Sequence, residues 1–309
     1  MKKLILPLIL ITLIGLELFF MKDITTFTTK LLNNHPDVVV EPSNAYKKNY
    51  DFQYVQNVSN YTPYSYHDLI NIIFTAINNG WNEFTFYCPT EYTNCVNDVT
   101  DISKNENLLT SLSNFVSPYN SFNYIQTLYN DSGEITLEIS KVYTDQEISQ
   151  INTVVKQTIN NLITPQMDTY TKILTIHDYI VNNTKYDTEK NNTGTSQYES
   201  ENAYGLFVNH LATCSGYADT MALFLDEFGV KNYKVTSKSH VWNAVYYENK
   251  WVHLDLTWDD PVSNTGKDYL YHKYFLIDTS EMKKIDGDIV DHTYDESIYL
   301  EFKEDVTNP

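Results

Sequence analysis

Residues 212–230 read ATCSGYADTMALFLDEFGV. Ala218, Met221, Ala222, Leu225 and Phe228 recur at helical spacing, and Gly229 stands where a helix C-cap belongs. The pattern predicts a helix whose first turn begins at or just after Cys214. Unpaired N–H groups at a helix start favour an anion, and the nucleophilic form of cysteine is the thiolate. Cys214 therefore sits where a sulfur anion is stabilised, provided that a neighbour takes its proton.

That neighbour is sought downstream, in SHVWNAVYY at 239–247 and KWVHLDLTWDDP at 250–261. Residues 240–247 and 250–257 each alternate, and Glu248-Asn249 between them reads as a tight hairpin turn. Pairing Tyr247 with Lys250 sets Trp242 opposite Asp255 and His240 opposite Thr257. His240 and Asp255 then become diagonal neighbours on one face, while Val241, Val245, Val252, Leu254 and Leu256 share the other. A slip of one residue sends the imidazole and the carboxylate to opposite sides. In this register His240 accepts the thiol proton, and Asp255 orients the ring and stabilises its charged form. A lone cysteine is more often a small buried hydrophobe, and a lone strand histidine a satisfied one. Three such groups in the required order, with compatible strand parity, favour the catalytic reading.

The stretches Cys214-Ser-Gly-Tyr-Ala218, His240-Val-Trp-Asn243 and Trp251-Val-His-Leu-Asp255-Leu-Thr257 resemble the transglutaminase-like superfamily, over roughly residues 165–262. IHDYIVNNTKYD at 176–187 and AYGLF at 203–207 are similar to the lead-in of its bacterial members. The resemblance implies an α+β, papain-like core in which the helix bearing the nucleophile packs on an antiparallel sheet. It also implies Cys214 as nucleophile, His240 as general base and acid, and Asp255 as orienting carboxylate. The animal transglutaminases take an oxyanion donor from a tryptophan upstream of the nucleophile. Here Trp81, Trp242, Trp251 and Trp258 are the tryptophans, and none lies shortly before Cys214. The Cys214 N–H is one expected donor, and Tyr186, Tyr204 and Trp242 are the candidates for oxyanion or substrate contacts. No EF-hand loop is found, so calcium activation is not carried over. No cofactor is expected. No metal is expected either: His210 with Cys214 and His253 with Asp255 have helix and strand spacing, yet neither pair grows to three ligands.

The 309 residues carry 40 acidic and 21 basic side chains, a net charge of -19. Such a field repels phosphate backbones and anionic headgroups, which argues against nucleic acid as a partner. A protein or peptide substrate, surface or cell-wall associated, is the expected partner. The N-terminus, MKKLILPLILITLIGLELFFMKD, places Lys2 and Lys3 before an apolar run from Leu4 to Leu16, which suits a signal anchor or a signal peptide over residues 1–21. This segment is the expected contact with a membrane, and it predicts an extracytoplasmic chain, anchored or secreted. Of the three cysteines, Cys88 and Cys95 lie seven residues apart, as a disulfide permitted outside the cytoplasm or as two unpaired thiols.

Residues 22–63, rich in Asn, Thr and Tyr, read as a polar stalk with little fixed structure. Residues 64–144 read as a small α+β domain: a helical stretch HDLINIIFTAINNG, the strand EFTFY, a helix over DISKNENLLTSLSNFV, and strands in NSFNYIQTLYN and EITLEISKVY. Its Tyr119, Tyr124 and Tyr129 are expected to pack. The core follows at 145–309, opening on a helix with Asp145 as N-cap. A second helix carries His177 on its face, and the polar loop 188–201 comes after it. The expected function is an exported cysteine enzyme that forms a thioester at Cys214 with an amide substrate, resolved by hydrolysis or transamidation. The alternative is a non-catalytic surface binding module on the same scaffold.

Overall fold

The hairpin forms in the expected register in this computed structural model, which describes residues 38, 46, 50–262 and 269–306. Tyr247 pairs with Lys250, Tyr246 with Trp251 and Asn243 with Leu254. Glu248 and Asn249 both take positive φ, 49° and 64°, which a two-residue turn matched to strand twist requires. Strand Asn232–Thr236 adds antiparallel to the other edge of Val241–Tyr247. Helix Cys214–Glu227 lies across one face of this sheet, tied by Asn243 Nδ2 donating to the Ala218 carbonyl at 2.9 Å. Met221, Phe224 and Leu225 share a buried cluster with Val245, Val252 and Leu254. This is an α+β core with the cysteine-bearing helix on an antiparallel sheet.

The helix is enclosed more completely than its apolar spacing suggests, because every residue from Gly216 to Asp226 is buried. Helices Thr169–Asn183 and Ala203–Asn209 pack against it, and Ile148, Ile151 and Val155 of helix Asp145–Leu162 extend the same buried cluster behind helix Ala203–Asn209. Asp145 is not the cap of the latter helix. Thr144 is, in a reciprocal capping box with Glu147. Two glycines permit the close approach of segment 199–202. A Cβ on Gly205 would lie 1.6 Å from the Glu199 carbonyl oxygen, and one on Gly216 would lie 2.6 Å from that of Ser200. The 188–201 segment is likewise not a plain loop, since Asp187 caps a short helix, Thr188–Thr193.

Ahead of the core, strands Glu83–Tyr87, Glu134–Lys141 and Phe122–Tyr129 form a second antiparallel sheet with Glu134–Lys141 at its centre. The expected helix over 101–116 is divided into Cys95–Lys104 and Glu106–Ser113. Asn105 leaves the helical region and its side chain accepts the Leu108 N–H, starting a new helix. Cys88 and Cys95 are bonded, and Cys214 is the unbonded cysteine. Tyr119 is buried as expected, but Tyr124 and Tyr129 are exposed.

This sheet and its helices belong with the core to one unit, residues 40–309. The Phe115 and Tyr233 rings are in tilted contact with centroids 5.1 Å apart, and the Lys234 N–H donates to the Asn114 carbonyl at 2.9 Å. The stalk reading is corrected from Tyr50 onward: Phe52 and Val55 are buried, and the Phe52 ring lies 4.7 Å from that of Phe115. Aromatic rings spaced among polar residues anchor this segment where composition alone suggested a linker. The N-terminal apolar run lies outside the described residues; among those described, no helix is long and apolar enough to cross a membrane.

Gly205→Ala forces the backbone of 199–205 apart and is expected to cost more than about 2 kcal/mol. Urea titration of the purified variant checks this, and Gly194→Ala, which meets no neighbour but has positive φ, is the milder control.

Candidate active site

Alternation toward Thr257 predicted a longer strand, but the strand ends at Leu254 because Asp255 becomes a helix cap. Its Oδ1 accepts the N–H groups of Thr257 at 2.8 Å and Trp258 at 3.2 Å, which turns residues Leu256–Asp259 into one helical turn. Its N–H donates to the Tyr274 carbonyl at 3.0 Å. Asp255 is thus fixed at both backbone and carboxylate, and its Oδ2 receives His240 Nε2. His240 stands just before strand Val241–Tyr247, in a tight turn where its N–H donates to Ser237 Oγ at 3.1 Å. Its ring stacks on Trp242 with centroids 5.7 Å apart and planes 15° from parallel. With Nε2 committed to Asp255, Nδ1 is the nitrogen left to serve the thiol.

Burial opposes a charge on His240. The Asp255 carboxylate overcomes it by charge and hydrogen bond, with the Cys214 sulfur adding a hydrogen bond, so that the ring is pushed up to about 10. Burial also opposes a charge on Asp255, and His240 and then His292 outweigh it, holding the carboxyl well below the usual carboxylate range. Cys214 heads its helix after Thr213, which makes no side-chain cap, so the first-turn N–H groups have no side chain competing for them. The structure therefore brings Cys214, His240 and Asp255 together in the order read from the sequence. Cys214 and His240 line a cleft of about 530 Å³ that is also lined by Asn107, Thr110 and Ser111 of helix Glu106–Ser113, while Asp255 is buried.

Tyr186, Tyr204 and Trp242 fare differently. Tyr186 pairs with Ala212 in a short parallel bridge two residues ahead of the nucleophile. Burial, then the charges of Cys214 and Asp255, push its hydroxyl up to about 12, which places it in the electrostatic neighbourhood of the sulfur. Tyr204 packs against the hydrophobic core and does not line the cleft. Trp242 is no oxyanion donor, because its single N–H is spent on His253 Nδ1 at 3.0 Å. It serves as the stacking floor for His240. His253 in turn donates from Nε2 to Thr279 Oγ1 at 2.9 Å, and burial, then His292, hold it down to about 3, so it stays neutral.

His292 was not singled out from the sequence, yet it is fully buried and its Nε2 lies 2.9 Å from Asp255 Oδ2. It follows Asp255 by 37 residues in a tail without periodic pattern, so only its residue type offered a signal. His177, read as a helix-face residue, is also buried, between Asp178 at 2.9 Å and Asp259 at 3.3 Å, and His272 reaches the same Asp178 oxygen at 2.7 Å. The ligand-type atoms of His177, Asp178 and His272, and those of His240, Asp255 and His292, lie within 4.8 Å of one another. Zinc ligands in tetrahedral geometry stand roughly 3.3 Å apart. The nitrogen-to-oxygen distances of 2.7 to 2.9 Å about each central carboxylate oxygen are hydrogen-bond spacings.

Residues 156–256 match the family model described as the transglutaminase-like superfamily. No curated protein matches the chain. Among solved structures, the chain is similar to a TGase at 18% identity and a TM-score of 0.31, over 44% of each chain. It is also similar to a candidate cysteine protease from Cytophaga hutchinsonii at 14% identity and a TM-score of 0.27, over 44% of this chain and 62% of that one. The matches thus span less than two thirds of either protein's length.

The raised ring and the depressed carboxyl make stability depend on pH in a definite direction. The His240 contribution is fully present below its unfolded value of about 6.5 and is lost as pH rises through about 10. The Asp255 contribution is present above about 3.9 and is lost as acid protonates it. Denaturation midpoints measured from pH 6 to 10.5 are expected to fall more steeply for the native chain than for Asp255→Asn, which lacks the carboxylate that holds the imidazolium.

Proposed function

We propose that this chain, whose residues 156–256 are a transglutaminase-like core, is a cysteine acyl-transfer enzyme acting on amide groups of proteins or peptides. The observation that carries the reading is that Cys214 and His240 line one cleft, with the ring held in orientation by the buried Asp255 Oδ2. In this mechanism His240 takes the proton of Cys214, and the sulfur attacks the amide carbonyl carbon. The N–H of Cys214 is the donor available to the oxyanion, since the Tyr186 hydroxyl donates to Asn191 Oδ1 at 3.3 Å. Collapse of the intermediate breaks the C–N bond, and His240 hands its proton to the departing ammonia or amine. The thioester left on Cys214 is then opened by water or by a primary amine, which regenerates the thiol.

An extracytoplasmic setting is part of the proposal. The Cys88–Cys95 bridge persists in oxidising compartments, and the apolar N-terminal run with its leading lysines provides an export signal or anchor. Surface or cell-wall proteins are then the substrates at hand, with any membrane contact made through that N-terminal segment. The net charge of -19 disfavours nucleic acid.

Ammonia release from surface-protein extracts and glutamine-containing peptides, with and without an added primary amine, is the direct assay. Cys214→Ala is expected to lower it roughly a thousandfold or more, and incorporation of the amine separates transamidation from hydrolysis. Activity unchanged in Cys214→Ala, or a Cys214 that reacts with iodoacetamide at neutral pH no faster than a model thiol, sinks the enzymatic reading and leaves a binding module.

A further inference from the structure

The carboxylate that holds the candidate general base is shared. His292 Nε2 approaches Asp255 Oδ2 at 2.9 Å, the same oxygen that receives His240 Nε2. The other nitrogen of His292, Nδ1, lies 3.0 and 3.1 Å from the two oxygens of Asp286. Carboxylate oxygens only accept, so both ring nitrogens of His292 must carry protons for the two bonds to be made. Asp286 is itself fixed by the Tyr274 hydroxyl, which donates to its Oδ1 at 2.9 Å. A row of alternating donors and carboxylates therefore runs behind the cleft, from His240 through Asp255 and His292 to Asp286.

The row is boxed in by rings, with Trp242, Trp258 and Tyr274 each about the His292 ring at centroid distances of 5.0, 5.4 and 4.9 Å. The titratable groups facing His292 are Asp255 at the strand end, Asp286 on helix Thr279–Asp286, and Tyr274. His240 and His253 face it from the sheet. Lys283 borders a small cavity at the Asp286 end and is paired there with Glu296 at 3.6 Å. The His292 ring centroid is 5.4 Å from that of His240, and the two rings meet at the common oxygen.

We propose that His292, anchored by Asp286, is a positioning residue that competes with His240 for the shared oxygen of Asp255 and so limits how firmly the catalytic imidazolium keeps its proton. The inference rests on the cysteine acyl-transfer reading and adds to it. A general acid must release its proton to the departing amine, and one held too tightly does so poorly. Asp255 alone strengthens the grip, whereas a second cationic donor on Oδ2 draws off part of the carboxylate's charge and repels the first ring. The device suits a base whose carboxylate partner is buried and has no solvent to temper it.

Iodoacetate labelling of Cys214 in the full chain, followed against pH, tests this, since the other two cysteines are joined. The anionic reagent reacts fastest with a thiolate beside an imidazolium, so its rate traces a bell whose falling limb marks loss of the His240 proton; uncharged iodoacetamide lacks that fall. His292→Gln removes the competing cation. Asp286→Asn replaces the carboxylate that holds His292 Nδ1 with an uncharged amide. Both are expected to move the falling limb upward by about one pH unit. A falling limb that stays in place or moves down in the variants overturns the inference, including the case in which they merely lose stability. A wild-type profile without a bell overturns the acyl-transfer reading itself, and the inference with it.

Discussion

The carboxylate of Asp255 is the point at which sheet, helix and site meet. Oδ1 caps the Leu256–Asp259 turn through two backbone N–H groups, while Oδ2 binds two imidazoles. A buried carboxylate without partners is costly, and one with four donors is strongly held in its charged form. The same bonds that satisfy this charge end the strand, turn the chain toward residues 269–306 and aim His240 at the cleft. Removing the charge therefore disturbs local fold and site geometry together.

Placement of the sulfur depends on a different constraint, the close passage of two backbones. Gly205 and Gly216 leave room for segment 199–202 to run against the start of helix Cys214–Glu227, and the Thr213 N–H donates to the Ser200 carbonyl at 2.8 Å. The helix start is thereby held from behind, with its first-turn N–H groups left to face the cleft. Part of the cleft lining comes from helix Glu106–Ser113, which precedes the family match altogether.

Much of this was legible from periodicity. The period-two alternation between residues 241 and 254 fixed the hairpin register, which brings the residues that flank its strands, His240 and Asp255, close together; the turn at His240 and the cap at Asp255 then complete their contact. Helical spacing from Ala218 to Phe228 located the helix that begins at Cys214. The readings that failed depended on interactions made by single side chains. Asn105 broke a helix whose apolar pattern ran on without interruption, and Asp255 stopped a strand by capping. Phe52 and Val55 turned a polar stretch into packed structure. Trp242 was lost as an oxyanion donor to His253, a partner the hairpin register alone does not reveal as its acceptor. His292 was invisible because it comes from a distant, aperiodic tail, where no spacing rule reports which carboxylate a histidine will find.

Burial of every residue from Gly216 to Asp226 gives the nucleophile a mooring with no loose turn behind it. A helix packed on all sides cannot swing or fray at its middle without disrupting the layers around it. Loosening of the support beneath Cys214 is therefore tied to melting of the surrounding core, and variation in the shape of the cleft falls to its other walls, since the sulfur's own support has no slack to give.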